Sequence, residues 1–228
     1  MRMVVDEFSE DNNGTSFELD ISKDSLRQII LQSISNTARP FTIAVQNHEN
    51  QDWNEDSLTQ VFIGQNTVQL QKTGLPLMVA VQYRDIYHKT KGIPDVFYSL
   101  IEEGKDHKPE FLMEAKRLPA PTLKREKEYV VGTTPSGNPN GGIERFKLGR
   151  HGAGHPHCGM LAFVEDSEFE DWFNSVNRWI SELIPSWSKN ELLELQEVKP
   201  FCNHYKSKAE REDNELHIDH FWIKIFNN

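Results

Sequence analysis

The stretch IPDVFYSLIEEGKDHKPEFLMEAKRL, residues 93–118, decides the fold, because it reads as two apolar strands joined by a charged turn. Side chains alternate between the two faces of a strand, so Glu114 and Lys116 share one face and Ala115 points to the other. Asp95 stands at the head of the first strand. If the two strands pair as neighbours, Asp95 reaches the same face. We therefore predict a hairpin that carries two carboxylates and one ammonium group side by side.

Such a group of side chains suits a metal-assisted reaction at a phosphate. Hard cations such as Mg²⁺ take oxygen ligands, usually one or two carboxylates together with water and substrate phosphate. A lysine beside the metal can orient or deprotonate the attacking water, or stabilise developing charge. The alternative interpretation is a surface hairpin with an exposed aspartate and a Glu/Lys pair two residues apart, which is common in soluble proteins.

Pro94-Asp95 followed by Glu114-Ala115-Lys116 resembles the signature of the PD-(D/E)XK nuclease superfamily. The resemblance implies a restriction-endonuclease-like core, with a central mixed sheet flanked by helices. It implies that Asp95 and Glu114 bind Mg²⁺, for which Mn²⁺ can substitute. The backbone carbonyl of Ala115 is a further ligand in this interpretation, and Lys116 positions or activates water.

A second part of the resemblance is a helix that precedes the core sheet. Residues 54–71 are predicted to be helical, with Asn54 as the N-cap and Glu55 in the first turn. In the superfamily an acidic residue on such a helix often joins the metal site, so the resemblance implies that Glu55 is an accessory ligand, with Asp56 as its nearest competitor. The alternative is that Glu55 only complements the helix dipole. The similarity in motif covers residues 55–116.

The charge of the chain is unevenly distributed. The formal net charge is −10, although residues 105–151 contain ten lysines and arginines against six acidic residues. We predict that this region contacts phosphates, and that residues 141–152 form a short helix with exposed basic side chains. A solvated basic face without a ligand is the alternative. The predicted nucleic-acid contacts are Arg117, Arg145, Lys147 and Arg150.

The remaining pattern predicts helices and strands on both sides of the central hairpin. We expect a helix from Ser22 that ends at Arg39-Pro40, a strand over 41–47, a core strand over 75–83 and another over 157–165. A capping box of Ser167 and Glu170 begins a strongly amphipathic helix that ends before Pro185, and residues 216–226 form the last strand. This order predicts an α/β (α+β) sandwich in a single domain, residues 1–228, with residues 1–22 frayed.

Four potential metal ligands crowd one loop, and two more follow later in the chain. Zinc prefers histidine and cysteine ligands, but this spacing matches no zinc pattern and contains no CxxC pair. We interpret the loop as a polar connection into a strand and leave metal binding there as the alternative. The residues are His151, His155, His157 and Cys158, followed by Cys202 and His204.

Composition narrows the class of protein. No apolar run approaches the roughly 18 residues of a membrane helix, and the N-terminal residues contain no apolar core of a secretory signal. Two cysteines are too few for a disulfide framework. These features predict a cytoplasmic protein without a membrane partner.

The functional prediction is a Mg²⁺-dependent deoxyribonuclease, an endonuclease rather than an exonuclease. Its predicted partner is DNA, with a second copy or another subunit supplying what the acidic surface lacks. The rival prediction is a catalytically lapsed module of the same fold that binds nucleic acid or protein. A third possibility is a structural subunit whose aromatic helix forms the interface.

Overall fold

A seven-stranded mixed sheet forms the centre of the computed structural model, which describes residues 21–48, 51–88, 90, 92–212 and 214–225. The predicted frayed segment, residues 1–22, lies outside this part of the chain except for its last two residues. The strands are β1 (Leu77–Val81), β2 (Val96–Leu100), β3 (Pro109–Leu118), β4 (His157–Val164), β5 (Glu194–Lys199), β6 (Cys202–Glu210) and β7 (Glu215–Lys224).

The order of strands across the sheet is β1-β2-β3-β4-β7-β6-β5. The first three strands form an antiparallel meander. β4 pairs in parallel with both β3 and β7, and β7, β6 and β5 are antiparallel neighbours. The sheet is therefore mixed, and the predicted α/β class is confirmed.

Helices cover both faces of the sheet. α1 (Lys23–Gln46) and α2 (Glu55–Gln71) pack on one face in a core that includes Phe41 and Phe62. α3 (Gly142–Lys147) and α4 (Phe169–Ser181) lie on the other, in a core that includes Trp179. None of the described helices is long and apolar enough to cross a membrane.

The predicted hairpin is confirmed. β2 and β3 are antiparallel, with Val96 opposite Met113. The β3 strand ends at Leu118, directly before Pro119, as the inability of proline to continue a central ladder predicts. α2 is also confirmed, since the Asn54 side chain accepts a hydrogen bond from the Ser57 N–H at 2.9 Å.

The predicted strand over residues 41–47 is wrong, because α1 continues through Pro40 to Gln46. A proline inside a helix costs about 3 kcal/mol, as it removes a hydrogen bond and crowds the preceding turn. Phe41 and Val45 are fully buried beyond it. Burial of one such side chain contributes about 1.5–3 kcal/mol, so two of them offset the proline.

The start of α4 also differs from the prediction. Ser167 has φ +60°, outside the extended conformation of an N-cap residue. The helix is capped one residue later, where the Glu168 N–H donates to the Asp171 carboxylate at 3.2 Å. The predicted apolar stripe is confirmed, since Val176 and Ile180 are fully buried.

The hairpin of β5 and β6 was not predicted from the sequence. β5 is exposed along almost its whole length at the edge of the sheet, so it lacks the alternation of apolar residues that marks a half-buried strand. In β7, by contrast, successive side chains pack on opposite faces of the sheet. Trp222 packs in the core beneath α4, and Phe221 packs in the core beneath α1.

Candidate active site

Lys116 is the centre of a cluster that joins α2 to β3. Its Nζ lies 3.0 Å from Glu55 Oε1, 3.0 Å from Glu114 Oε1 and 2.7 Å from the carbonyl oxygen of Ala115. The Lys116 side chain is almost completely buried, and that of Glu55 is 26% exposed. The fold therefore brings three of the predicted site side chains, 61 residues apart at the extremes, into direct contact.

Asp95 joins the same cluster through the backbone of β3. The N–H of Ala115 donates to Asp95 Oδ2 at 2.8 Å, which places the aspartate beside the strand that carries Glu114 and Lys116. Burial, and after it the negative charge of Glu114, raise the pKa of Asp95 to about 8. At neutral pH this carboxyl group is therefore largely protonated, because the nearby positive charge does not offset burial and the repulsion from Glu114.

For Glu114 and Lys116, unlike Asp95, nearby opposite charges outweigh the effect of burial on the pKa. Burial alone would raise the pKa of Glu114, but Lys116, His151 and Arg145 hold it well below its usual range. Burial alone would lower the pKa of Lys116, but the carboxylates of Glu114, Glu55 and Asp95 raise it above its usual range. Both groups are therefore charged across the physiological pH range.

The side chains of Arg145 and His151, which the resemblance does not place at the metal site, contact the Glu114 carboxylate. Arg145 Nη1 forms an ion pair with Oε1, and His151 Nδ1 lies 2.9 Å from Oε2. The second contact has the distance of an ion pair but not the angles of a hydrogen bond. Glu114 has no exposure to solvent, so its carboxylate is enclosed by protein groups.

A glycine makes the position of His151 possible. A Cβ atom on Gly92 would lie 2.1 Å from His151 Cδ2 and 2.2 Å from the Arg150 carbonyl oxygen. The His151 ring therefore packs directly against the backbone that leads into Asp95. In the sequence His151 stands out only as part of the histidine-rich loop, and its spacing gives no signal of a contact with Glu114.

Arg145 is itself held by a polar network on the loop before α3. Its Nη2 donates to the side-chain oxygen of Asn140, and the Asn140 amide donates to Glu128 Oε1 at 3.0 Å. Glu128 is buried and pairs with Arg125. Sequence reasoning missed Asn140 and Glu128, which extend the cluster from Glu114 toward the molecular surface.

The donor chemistry of the cluster fits a hard divalent cation. Asp95, Glu55, Glu114 and the Ala115 carbonyl all present oxygen, the atom that Mg²⁺ prefers, and the raised pKa of Asp95 indicates a deficit of positive charge. In the present arrangement, however, the described residues include no group of three or more Asp, Glu, His or Cys side chains placed to hold a metal. Arg145 and His151 enclose Glu114, and the Lys116 ammonium contacts the oxygens of Glu55 and Ala115.

The predicted exposure of Arg145, Lys147 and Arg150 is wrong, since all three are partly buried and engaged within the protein. Lys147 Nζ lies 2.6 Å from Glu191 Oε1, and Arg150 Nη1 donates to the Pro139 carbonyl at 3.2 Å. Only Arg145 reaches the cluster.

Arg117 is engaged within the protein too. Its guanidinium makes a two-pronged ion pair with Glu165, with Nη2 2.6 Å from Oε2. The short α3 helix packs on the sheet against β3, β4 and β6, so its charged side chains find partners in the fold. The acidic partners lie far along the chain, which explains why local sequence indicated exposure.

The histidine-rich loop does not assemble one site. His151 contacts Glu114, His155 lies near His88, and the His157 ring stacks on that of His217 at 5.0 Å. Cys158 is buried and free, and burial raises the pKa of its thiol to about 12. The interpretation of this loop as a connection into a strand is confirmed by β4.

Comparisons of the chain with protein-family models, with curated proteins and with solved structures give no match.

Proposed function

We propose that this protein is a Mg²⁺-dependent nuclease of the PD-(D/E)XK superfamily that hydrolyses phosphodiester bonds of DNA. One observation carries the proposal: the carboxylates of Glu55 and Glu114 and the Ala115 carbonyl all lie within 3.0 Å of the Lys116 ammonium. Asp95 is hydrogen-bonded to the same strand. These residues come from α2, the position directly before β2 and the centre of β3.

Asp95, Glu55, Glu114 and the Ala115 carbonyl would hold the metal ion, and Mn²⁺ could replace Mg²⁺. When bound, the ion supplies positive charge that offsets the repulsion between carboxylates and a phosphate, and it lowers the pKa of water. The raised pKa of Asp95 supports this role, because a buried carboxyl with this deficit of positive charge gains most from a nearby cation.

Lys116 acts as a proton donor and a positive charge in this arrangement. Because the three carboxylates raise its pKa, it stays protonated and cannot accept a proton from water. Its ammonium group can orient a water molecule or stabilise the negative charge that develops on the phosphate. A role as general base would first require neutralisation of those carboxylates.

Glu114 requires a change of partners before it can bind a metal. Its two oxygens are in contact with Arg145 and His151, and the side chain is fully buried. Arg145 is the partner that a substrate can reach, since its side chain is 25% exposed whereas that of His151 is 3% exposed. A phosphate entering the site offers this guanidinium an alternative anion.

The substrate we propose is DNA cut internally, in the cytoplasm. The described residues contain one such cluster, so cutting both strands together would require two copies of the chain or another subunit.

Plasmid nicking in the presence of Mg²⁺ tests the proposal. Wild type and Asp56→Asn are expected to nick supercoiled DNA, because Asp56 is exposed and lies outside the cluster. Asp95→Asn and Lys116→Gln are each expected to reduce the rate by about 10²- to 10³-fold, the usual loss when one preorganised electrostatic group of a site is removed. Equal rates for wild type and Asp95→Asn would refute the assignment of the site.

A catalytically lapsed module is the second candidate, and the enclosure of Glu114 favours it. A carboxylate already neutralised by Arg145, Lys116 and His151 has little need of a metal ion. This candidate predicts DNA or protein binding that is unaffected by Mg²⁺, together with no nicking by wild type.

A further inference from the structure

The segment of residues 122–127 (Thr122 to Lys127), here called the basic segment, stands out on the surface beside the candidate site. It follows β3 and contains a short 3-10 turn at Leu123–Arg125, and every residue in it is exposed. Three of its six residues are basic and one is acidic. It therefore differs from Arg117, Arg145, Lys147 and Arg150, whose polar groups are engaged inside the fold.

The cations of the basic segment are available to a ligand. Lys124 has no ion-pair or hydrogen-bond partner within the described ranges of the chain. Lys127 pairs with Glu182, but both side chains are about half exposed, and such surface pairs contribute little and exchange readily. The segment can therefore offer at least two lysines to an anionic polymer.

The basic segment adjoins the catalytic cluster. Arg125 pairs with Glu128, which hydrogen-bonds to Asn140, and Asn140 in turn holds Arg145 against Glu114. The hydrogen bond with Glu128 raises the pKa of Arg125, and the charge of Glu55 adds to the rise, so Arg125 also lies within electrostatic range of the site. A cavity of about 870 Å³ lies between the segment and residues 131–135.

Leu123 is the most unusual side chain of the segment. It is 91% exposed, the largest exposure among the large apolar side chains of the described residues. It stands beside Lys124 and Arg125 rather than in an apolar patch. Proteins that kink DNA combine basic side chains with apolar wedges, leucine among them, which insert between base steps and unstack them.

Insertion of Leu123 would help a phosphate to reach the catalytic cluster, which lies below the protein surface. Lys116 is buried and the Glu55 side chain is only 26% exposed, so a phosphate must descend below the surface to reach them. An undistorted duplex is stiff over the length of a binding site, and a kink requires partial unstacking of a base step. Local unstacking next to the site would let one phosphodiester move inward.

We infer that the basic segment is the docking surface for duplex DNA, with Lys124 and Lys127 on the phosphate backbone and Leu123 inserted at a base step. This inference rests on the proposed nuclease function and names its substrate as duplex DNA that is kinked on binding. Lys124 and Lys127 then take the place of Arg145 and Lys147 of α3, which pair within the protein, as the principal phosphate contacts.

Binding of a fluorescent duplex across a series of salt concentrations tests the backbone contacts. The duplex carries a cleavage-resistant phosphorothioate backbone, and binding is measured with EDTA and with Mg²⁺. Each lysine–phosphate contact contributes about 0.9 to the slope of log K against log salt concentration. Lys124→Gln and Lys127→Gln are each expected to reduce the slope by about 0.9. Lys72→Gln is the matched control, because it lies at the far end of α2, about 25 Å from Glu55.

A duplex with 2-aminopurine at successive positions tests the insertion of Leu123. Wild type is expected to raise the 2-aminopurine fluorescence at one step, and Leu123→Asn is expected to abolish that rise while the salt slope stays the same. Leu123 is too exposed for this substitution to disturb the core.

The possible failures are distinguishable. If wild type nicks plasmid with Mg²⁺ while the lysine variants keep the wild-type slope, the docking surface is wrong and the nuclease function stands. Tighter binding of single strands than of duplex, or no 2-aminopurine response to wild type, also overturns the inference. If wild type neither binds duplex nor nicks plasmid, the inference and the proposed function both fall.

Discussion

Arg145 on the crossover between β3 and β4 forms an ion pair with Glu114, a fully buried carboxylate in the middle of β3. The crossover therefore closes over the candidate metal ligands instead of leaving them open to solvent. Any cation that binds Glu114 must compete with this guanidinium, and the competition makes the ion pair a measurable part of the proposed function.

Arg145→Ala is expected to destabilise the protein without metal and to strengthen its response to Mg²⁺. Removing one partner of a buried ion pair costs about 3 kcal/mol, because the remaining charge loses its compensation. Mg²⁺ can supply that compensation, so the Mg²⁺-induced rise in the unfolding temperature should be larger than in wild type. Arg178→Ala, an exposed arginine on α4, is the control. An equal Mg²⁺ effect in Arg145→Ala and wild type would contradict competition for Glu114.

Arg117→Met is expected to affect stability rather than DNA binding. The two-pronged pair with Glu165 is partly buried, and hydrogen bonds to charged groups contribute about 1.5–3 kcal/mol each. Urea unfolding should therefore show a loss of at least about 1.5–3 kcal/mol, the contribution of one such bond, while the salt dependence of DNA binding stays at the wild-type slope. A reduced slope with unchanged stability would return Arg117 to the set of phosphate contacts.

His220 is expected to make the protein sensitive to acid. Its ring is fully buried between Tyr129 and Ser207, with Nδ1 2.8 Å from Tyr129 Oη and Nε2 2.9 Å from Ser207 Oγ. Burial lowers its pKa from 6.5 to about 3; Asp219 raises it and His204 lowers it, both by smaller amounts.

Because the unfolded chain binds a proton at His220 more readily than the folded chain, this contribution to stability is complete above pH 6.5. It is lost as the pH falls toward 3, at up to about 1.4 kcal/mol per pH unit. The free energy of unfolding, measured in urea between pH 6.5 and 4.5, should have a shallower pH dependence in His220→Gln than in wild type. Identical slopes would show that His220 does not titrate on unfolding.

Pro40→Ala is expected to stabilise α1. Pro40 lies inside the helix, where proline is about 3 kcal/mol less favourable than alanine. The gain should appear as a higher urea midpoint with the same dependence on denaturant concentration, whereas Arg39→Ala, at the exposed neighbouring position, should change little. No gain in Pro40→Ala would indicate that the surrounding helix has already relaxed around the proline.

The sequence predicted the elements whose signals are local. The hairpin of β2 and β3 follows from two apolar runs around a polar turn, and α2 follows from the Asn54 cap. The resemblance alone assigned Glu55 to the same site as Lys116, as an accessory metal ligand, since no periodicity links residues on different elements; it did not predict their direct contact. The structure places these two side chains 3.0 Å apart.

The rest of the site depends on tertiary placement that local sequence does not encode. Arg145 and His151 reach Glu114 because the crossover to β4 folds back over β3. Basic residue types are usually exposed, so the prediction for Arg145 followed the general tendency and failed at a buried carboxylate. In the same way, a proline usually marks the end of a helix, but burial of Phe41 and Val45 beyond Pro40 keeps α1 intact.

A calorimetric titration of Mg²⁺ into the metal-free protein tests the central claim most directly. Wild type and Asp56→Asn are expected to bind Mg²⁺, and Asp95→Asn is expected to lose binding. Asparagine still offers an oxygen to the Ala115 N–H but brings no negative charge to the cation. Absence of Mg²⁺ binding by wild type at millimolar concentrations, or equal binding by Asp95→Asn, would contradict a metal-dependent nuclease site built on Asp95, Glu114 and Lys116.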